Sequence, residues 1–191
     1  MAFSHKDGGG YDSKSVFRDP ELCVNCKACI MACKIKHMWP PNNTTGAIAE
    51  PKGVNLLQVY QNGPEINPEG KVHQPFIGIA CMHCEDAPCI KVCPFSAIYK
   101  DPETHITLIE EEKCIGCKAC LWVCPFGAPS FREDGKLVLC NLCIDRLREG
   151  KQAACEAACQ ARAIKIASPE DIAENRAQKA VNQIADGTLE Y

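Results

Sequence analysis

Cys114-Ile115-Gly116-Cys117-Lys118-Ala119-Cys120-Leu121-Trp122-Val123-Cys124-Pro125 is the stretch on which the reading of this chain turns. Its four cysteines are separated by two, two and three residues, and a proline follows the last. Two-residue spacers let the backbone loop tightly, so three thiolates can approach one compact centre from three sides. The run C-x2-C-x2-C-x3-C-P is the spacing that holds a [4Fe–4S] cube, with one thiolate per iron and turn N–H groups aimed at the cluster sulfides. In two-cluster proteins of this type the fourth cysteine ligates the other cluster. That cysteine is expected to start a helix leading away.

Outward from this stretch, the chain's 16 cysteines fall into four groups. They are Cys23, Cys26, Cys29, Cys33; Cys81, Cys84, Cys89, Cys93; Cys114, Cys117, Cys120, Cys124; and Cys140, Cys143, Cys155, Cys159. Every group opens with C-x2-C and closes with C-x3-C, and the first and third have identical spacing. The chain therefore reads as a duplicated two-group unit with insertions. Structural zinc is the main rival, but its sites pair two C-x2-C units across a longer loop, which the tight triplets fit poorly. The fourth group alone would be ambiguous; as one of four it reads as a cluster site. Disulfides suit an oxidising compartment. The opening MAFSHKDGGGYDSKS has no basic stretch followed by an apolar run and no twin-arginine pair. A cytoplasmic setting, where thiols stay available for metal, is the expectation.

Composition agrees. Of 191 residues only 2 are Trp, 4 Tyr and 6 Phe, while 16 of the apolar residues are cysteines, so the true core is thin and needs a staple. No apolar run reaches the roughly 20 residues of a membrane helix. The formal net charge of −3 leaves no basic footprint for nucleic acid. Four oxidised clusters with their thiolates would bring it to about −11. Lys27, Lys34, Lys36, Lys91, Lys118, Arg146 and Arg148 lie in or beside the groups, as counter-charges or as ordinary solvated residues.

Between the groups, Ala97–Lys100 and His105–Ile109 read as one hairpin, and Ser130–Arg132 with Lys136–Leu139 as a second. Ala163–Ala167, Val54–Tyr60 and Pro75–Ala80 read as further strands, and the rest of the gap from Lys34 to Ala80 as loop. After Ser168, a helix cap with Pro169 behind it, Ile172, Ala173, Ala177, Ala180, Val181, Ile184 and Ala185 recur at helical spacing. Gly187 can end that helix. The stripe is expected to pack back on its own domain, a partner being the alternative.

The combination is recognisable. Cys81-Met82-His83-Cys84-Glu85-Asp86-Ala87-Pro88-Cys89 through Cys93-Pro94, Cys114-Ile115-Gly116-Cys117 through Pro129, and Cys140-Asn141-Leu142-Cys143-Ile144-Asp145-Arg146 with Glu149-Gly150-Lys151 and Cys155 closely resemble motifs of one family. It comprises the four-cluster ferredoxin-like subunits of bis-pterin molybdenum and tungsten oxidoreductases, of the dimethyl sulfoxide reductase beta-subunit type. The resemblance covers roughly Pro20 to Ala167. It implies an α+β fold of two pseudo-repeated bacterial-ferredoxin-like units, each with two [4Fe–4S] clusters, short β-hairpins and small helices, plus a C-terminal helix. The domain frame is then an N-terminal extension at 1–19, a four-cluster domain at 20–167 with 81–130 inserted between 20–80 and 131–167, and a helix and tail at 168–191.

The resemblance also implies crossed ligand sets. They are Cys23, Cys26, Cys29 with Cys159; Cys140, Cys143, Cys155 with Cys33; Cys81, Cys84, Cys89 with Cys124; and Cys114, Cys117, Cys120 with Cys93. Some relatives lose a third-group cysteine and hold a [3Fe–4S] centre, whereas all four are present here. Gln160 stands where the family often has proline, which weakens the case for a helix start there. His83 reads as a packing or supporting residue rather than a ligand, and Trp122 and Phe126 as shields against water.

No nucleotide-binding glycine loop, nucleophile–base pair or spare carboxylate–histidine site is evident, so no active site is expected. The expected role is to relay single electrons through four [4Fe–4S] clusters to or from a larger molybdenum- or tungsten-pterin subunit. That partner is either tungsten aldehyde oxidoreductase- or benzoyl-CoA reductase-like, or dimethyl sulfoxide reductase-like. A further electron-transfer or membrane-anchor subunit is compatible with this role. So is export alongside a signal-bearing partner. The rival is a free-standing polyferredoxin shuttling between enzymes; a zinc-bound interaction protein is a distant third.

Overall fold

The computed structural model describes residues 14–38, 54–66, 68, 70 and 72–188 of the 191. Part of the loop expected before Ala80 thus lies outside the described residues. The elements run β1 (Ser15–Arg18), α1 (Ala28–Lys36), β2 (Leu57–Gln61), β3 (Glu65–Ile66), β4 (Val72–His73), β5 (Phe76–Ala80), α2 (Pro88–Lys91), β6 (Ile98–Lys100) and β7 (Thr107–Ile109). There follow α3 (Ala119–Val123), β8 (Ser130–Phe131), β9 (Leu137–Val138), α4 (Ile144–Arg148), α5 (Ala154–Ala157), β10 (Ile164–Ala167) and α6 (Pro169–Ala185). This mixed helix–strand architecture has no broad sheet among the described residues. The strands form five two-stranded antiparallel ribbons: β1–β10, β2–β5, β3–β4, β6–β7 and β8–β9.

Both hairpins read from the sequence are present, and their turns explain them. Between β6 and β7, Asp101 accepts from the Thr104 N–H on its carboxylate at 3.0 Å and from the His105 N–H on its carbonyl at 2.9 Å. Between β8 and β9, Asp134 accepts from the Lys136 N–H at 2.9 Å while Gly135 takes φ +79°. The expected strands before Ala80 pair as β2 and β5, with Leu57 opposite Ala80. The short β3–β4 ribbon corrects the expectation of loop there, since Glu65 pairs His73 and Ile66 pairs Val72. The β1 strand was not anticipated. It lies in the stretch expected as an extension and pairs with β10, Ser15 opposite Ala167 and Arg18 opposite Ile164, so segments far apart in sequence close one ribbon.

The helices correct a second expectation. Those at the cysteine groups begin at or next to the third cysteine, not the fourth: Cys29 lies in α1, Cys89 in α2, Cys120 in α3 and Cys155 in α5. The x3 spacing places third and fourth cysteines one helical turn apart. At Cys93 and Cys124 the following proline disfavours helical backbone, so the turn ends there. Only α1 runs on past its fourth cysteine, to Lys36.

Two small apolar cores flank the cysteine groups. One gathers Val16, Ile30, Leu57, Ala80, Ile106, Leu142, Leu147 and Ile164 around Cys29; the other, Ile98, Leu137 and Leu139 around Cys120. Helix α6 forms as read, with the Ser168 hydroxyl accepting from the Asp171 N–H at 3.1 Å and Gly187 at φ +67° beyond its end. Its stripe does not pack back as expected: Val181 is 56% and Ile184 40% exposed. Charge tethers it instead. Lys179 reaches Asp19 at 3.6 Å and Glu21 at 3.4 Å, and Arg176 lies 4.6 Å over the Phe17 ring.

Candidate metal centre

The four cysteine groups share a backbone feature that only one of them advertises in sequence. The residue before the second cysteine is left-handed in every group: Asn25 at φ +53°, His83 at +49°, Gly116 at +72° and Leu142 at +52°. In the first and third groups the residue after the second cysteine is also left-handed, Lys27 at +58° and Lys118 at +63°. A non-glycine residue in this region costs about 1–2 kcal/mol. The gain is a concave nest of backbone N–H groups, which suits an anionic iron–sulfur centre. Gly116 alone was a sequence signal.

The fourth cysteines are seated alike as well. The residue three beyond each is left-handed in three groups: Ser96, Gly127 and Arg162, at φ +49°, +58° and +54°. Behind two of these turns, the Ala97 N–H donates to Cys93 Sγ at 3.3 Å and the Ala163 N–H to Cys159 Sγ at 3.2 Å. Gln160 therefore leaves the Cys159 turn like that of Cys93, despite the missing proline.

All 16 cysteines are free thiols, and they gather across groups. Cys23, Cys26, Cys29 and Cys159 line one recess of about 500 Å³, part of it open to solvent. Cys93, Cys114, Cys117 and Cys120 line a second, of about 350 Å³. The remaining thiols are related through their charges. Burial first, then Cys155 and Cys143, push the Cys33 thiol up to about 12, while burial, Cys155 and Cys33 raise Cys140. Burial, Cys89, Cys124 and Cys84 push Cys81 up to about 11. Each of the two recesses contains three cysteines of one group and the closing cysteine of another. No three or more His, Cys, Asp or Glu among the described residues close on a single ion. Thiols spread around a recess suit a body larger than zinc, whose four sulfurs would each stand about 2.3 Å from one centre.

Such thiols do not ionise unaided. Burial also pushes Cys29, Cys120 and Cys155 to about 11. A multi-iron centre supplies the positive charge that holds several thiolates together. The donor set, all sulfur with backbone N–H groups donating to Cys93, Cys114 and Cys159 Sγ, fits [4Fe–4S] clusters.

The basic residues noted in the sequence are mostly engaged elsewhere. Lys36 pairs with Asp145 at 2.6 Å, Lys91 with Asp86 at 2.5 Å and Arg148 with Glu103 at 3.7 Å; Arg146 donates to the Gln152 carbonyl at 2.8 Å. Lys118 lies 5.8 Å over the Phe131 ring. Only Lys34 is buried, 2% exposed and within the field of Cys33. Two cations that the sequence reading passed over lie within the field of thiols: Lys100, whose Nζ donates to the His83 and His105 carbonyls at 2.8 and 2.9 Å, near Cys81, Cys84 and Cys89, and Arg18 near Cys140, Cys155, Cys29 and Cys81. His83 supports its loop as expected, its Nδ1 accepting from the Thr107 N–H at 3.0 Å. Burial holds this imidazole neutral, down to about 4. Trp122 is a correction: at 87% exposed it shields nothing within this chain. It lies two residues, about 200° of helix, past the buried Cys120, so α3 turns it outward. Phe126 is 40% exposed.

Residues 72–168 match the 4Fe-4S dicluster domain family, and residues 20–44 match a 4Fe-4S binding domain. The protein is 36% identical to one chain of the anaerobic dimethyl sulfoxide reductase of Escherichia coli, over 78% of its own length and 70% of that relative. It is 34% identical to the thiosulfate reductase electron transfer subunit of Salmonella typhi, over 79% and 73%. This protein belongs to the [4Fe–4S] electron-transfer subunits of molybdopterin oxidoreductases. Another relative, a subunit of the sulfite dehydrogenase of Allochromatium vinosum, is 37% identical over 76% of this chain, which spans 64% of that relative. As one of these electron-transfer subunits the protein carries four [4Fe–4S] clusters, and its 16 cysteines match the four thiolates that each requires.

Proposed function

We propose that this subunit is a one-electron relay made of two interlocked cluster pairs and docked on a larger molybdenum- or tungsten-pterin catalytic subunit. The observation that carries the pairing is the recess in which Cys159 joins Cys23, Cys26 and Cys29. The matching recess of Cys93 with Cys114, Cys117 and Cys120 supports the same crossing in the second pair. The ligand sets are then Cys23, Cys26, Cys29 and Cys159 (A); Cys140, Cys143, Cys155 and Cys33 (B); Cys81, Cys84, Cys89 and Cys124 (C); and Cys114, Cys117, Cys120 and Cys93 (D). Two ferredoxin-like units would result, with 81–130 inserted between 20–80 and 131–167.

Coupling between thiols supports the row A–B–C–D. Cys155 acts on Cys29 between A and B, Cys81 on Cys140 between B and C, and Cys89 on Cys120 between C and D. Each cluster, when bound, supplies a one-electron couple. The chain's residues do the rest: the thiolates fix spacing, the left-handed turns present N–H groups, and buried Lys34 and half-buried Lys100 add positive charge near B and C.

The partner class follows from the relatives, whose names attach them to dimethyl sulfoxide reductase, thiosulfate reductase and sulfite dehydrogenase. No helix among the described residues is long and apolar enough to cross a membrane. A membrane-anchor subunit is compatible with this reading, and the setting proposed for the chain is cytoplasmic. Affinity purification at native expression under anaerobic conditions tests the reading. A pterin-bearing large subunit should co-purify, with about 16 iron atoms per copy of this chain. Recovery as a monomer would favour a free polyferredoxin.

A further inference from the structure

We propose that His83 Nε2–H donates a hydrogen bond to sulfur of the cluster that Cys81, Cys84 and Cys89 hold, and so raises that cluster's affinity for an electron. The proposal rests on the reading that these three thiolates share one cluster; it does not depend on which fourth cysteine closes it. His83 lies between Cys81 and Cys84, in the left-handed conformation at φ +49°. The β6–β7 hairpin grips it at two points. Lys100 Nζ, from β6, donates to the His83 carbonyl at 2.8 Å and to the His105 carbonyl at 2.9 Å. From β7, the Thr107 N–H donates to His83 Nδ1 at 3.0 Å. Lys100 and Thr107 are themselves paired across the ribbon, so backbone and ring of His83 are both fixed to one short rigid element.

An imidazole nitrogen that accepts from an N–H carries no proton of its own, so the tautomer is set: Nδ1 is bare and Nε2 bears the hydrogen. Nε2 is sealed from solvent and meets no hydrogen-bond partner among the described residues. A sealed donor left unpaired is unfavourable, so the native molecule requires an acceptor there. The equivalent position in the other groups shows where such a side chain is aimed. Asn25, left-handed before the second cysteine of its own group, lines the recess of Cys23, Cys26 and Cys29, and its Oδ1 is likewise sealed and unpartnered among the described residues. Leu142, at the same place in the fourth group, is 1% exposed in the core against which Cys140 and Cys155 pack. The position points inward, toward the thiols of its own loop. In the second group it brings a neutral donor to an anionic, sulfur-rich centre, whose thiolates and sulfides are acceptors. The positive end of an N–H dipole stabilises the added negative charge of the reduced state more than the oxidised one. Gly116 and Leu142 carry no such donor, so the clusters of the third and fourth groups receive none from this position.

The test uses the full chain, purified anaerobically with its partner and isotopically labelled at the histidine ring nitrogens. The signal of this cluster is assigned beforehand as the one that Cys84→Ser and Cys89→Ser both disturb, so an error in the shared-cluster reading shows at that stage and apart from this proposal. Pulsed EPR of the reduced wild type should show, on that signal, coupling to a labelled imidazole nitrogen and to an exchangeable proton. His83→Leu, which places here the residue type that the fourth group carries, should remove both couplings. In a redox titration it should lower the reduced-to-oxidised ratio of this cluster about fivefold at a fixed potential, the others staying within about twofold. His83→Gln, whose amide keeps an N–H donor, should restore most of that ratio. Thr107→Val keeps the backbone N–H and removes only a hydroxyl that is itself sealed and unpartnered among the described residues; coupling and ratio should stay as in wild type. The proposal is overturned if the wild-type signal carries no imidazole coupling, or if His83→Leu moves the ratio less than about twofold. It is equally overturned if Gln moves the ratio as far as Leu does, or if Thr107→Val removes the coupling. The wild-type spectrum needs no variant, so it decides the matter even where His83→Leu fails to assemble.

Discussion

At the scale of single residues, the informative cysteine is the one farthest from its partners in sequence. Cys159 closes the last group, yet it lines the recess of the first. Cys159→Ser should therefore disturb the cluster of Cys23, Cys26 and Cys29 and spare that of Cys140, Cys143 and Cys155, its sequence neighbours. Iron should fall from about 16 toward about 12 per chain, or one cubane EPR signal should be replaced by that of a three-iron centre. Loss of the Cys140 signal instead would refute the crossing. All sixteen ligand candidates were legible because thiolate spacing is a local property of the chain. The cations that face them were not. Lys34 sits inside a cysteine group, but Lys100 lies beyond its group on β6, and Arg18 is brought near Cys140 and Cys155 only by the β1–β10 pairing, so no short window of sequence contains both ends of that interaction.

Among elements, the point where a loop and a hairpin meet is the most exposed to a small change. Gly116 takes φ +72° in the third group, and a Cβ there would clash with the Gly135 carbonyl oxygen in the β8–β9 turn. Backbone cannot swing aside as a side-chain tip can. Gly116→Ala should cost on the order of 2–4 kcal/mol, combining clash with left-handed strain, and should deplete the cluster held by Cys114, Cys117 and Cys120. Gly150, also left-handed at φ +71° with open space around its Cα, is the control. Its change to Ala should cost only about 1 kcal/mol. Anaerobic denaturant midpoints and iron analysis of both variants decide this. Helix α6 offers a separable case. Ser168→Ala removes the acceptor for the Asp171 N–H and should cost the helix about 1 kcal/mol, fraying its first turn while all four clusters stay loaded. Circular dichroism beside the visible spectrum checks both halves of that statement. The hairpins around Asp101 and Asp134 and the cap at Ser168 were readable because each is written within a few residues. The β1–β10 ribbon and the two-residue strands β3 and β4 were not, since long-range pairing and very short pairing leave no period to detect.

For the molecule as a whole, the question is what holds it together, and the apolar cores answer only in part. The second core consists of Ile98, Leu137, Leu139 and Cys120. Burying an aliphatic side chain contributes about 1.5–3 kcal/mol, whereas ordering one residue's backbone costs about 1–2 kcal/mol. Three aliphatics therefore offset the ordering of only a handful of residues, far fewer than the stretch containing the second and third cysteine groups. The first core is larger, but Cys29 lies within it and Cys140, Cys155 and Cys159 pack against it, so it too is completed by ligands. The deficit was visible in the composition, where sixteen apolar positions are cysteine and only twelve aromatic. What composition could not say is that the recesses sit beside the cores, so that the same side chains wall both. Iron–thiolate bonds then act as folding energy, as in small metal-dependent domains. Removing iron with a chelator under anaerobic, reducing conditions should abolish the cooperative thermal transition and the β-ribbon signal in circular dichroism. Restoring iron and sulfide should recover both. An iron-free chain that still melted cooperatively within about 5 °C of the loaded one would mean that the apolar cores suffice and the clusters are passengers.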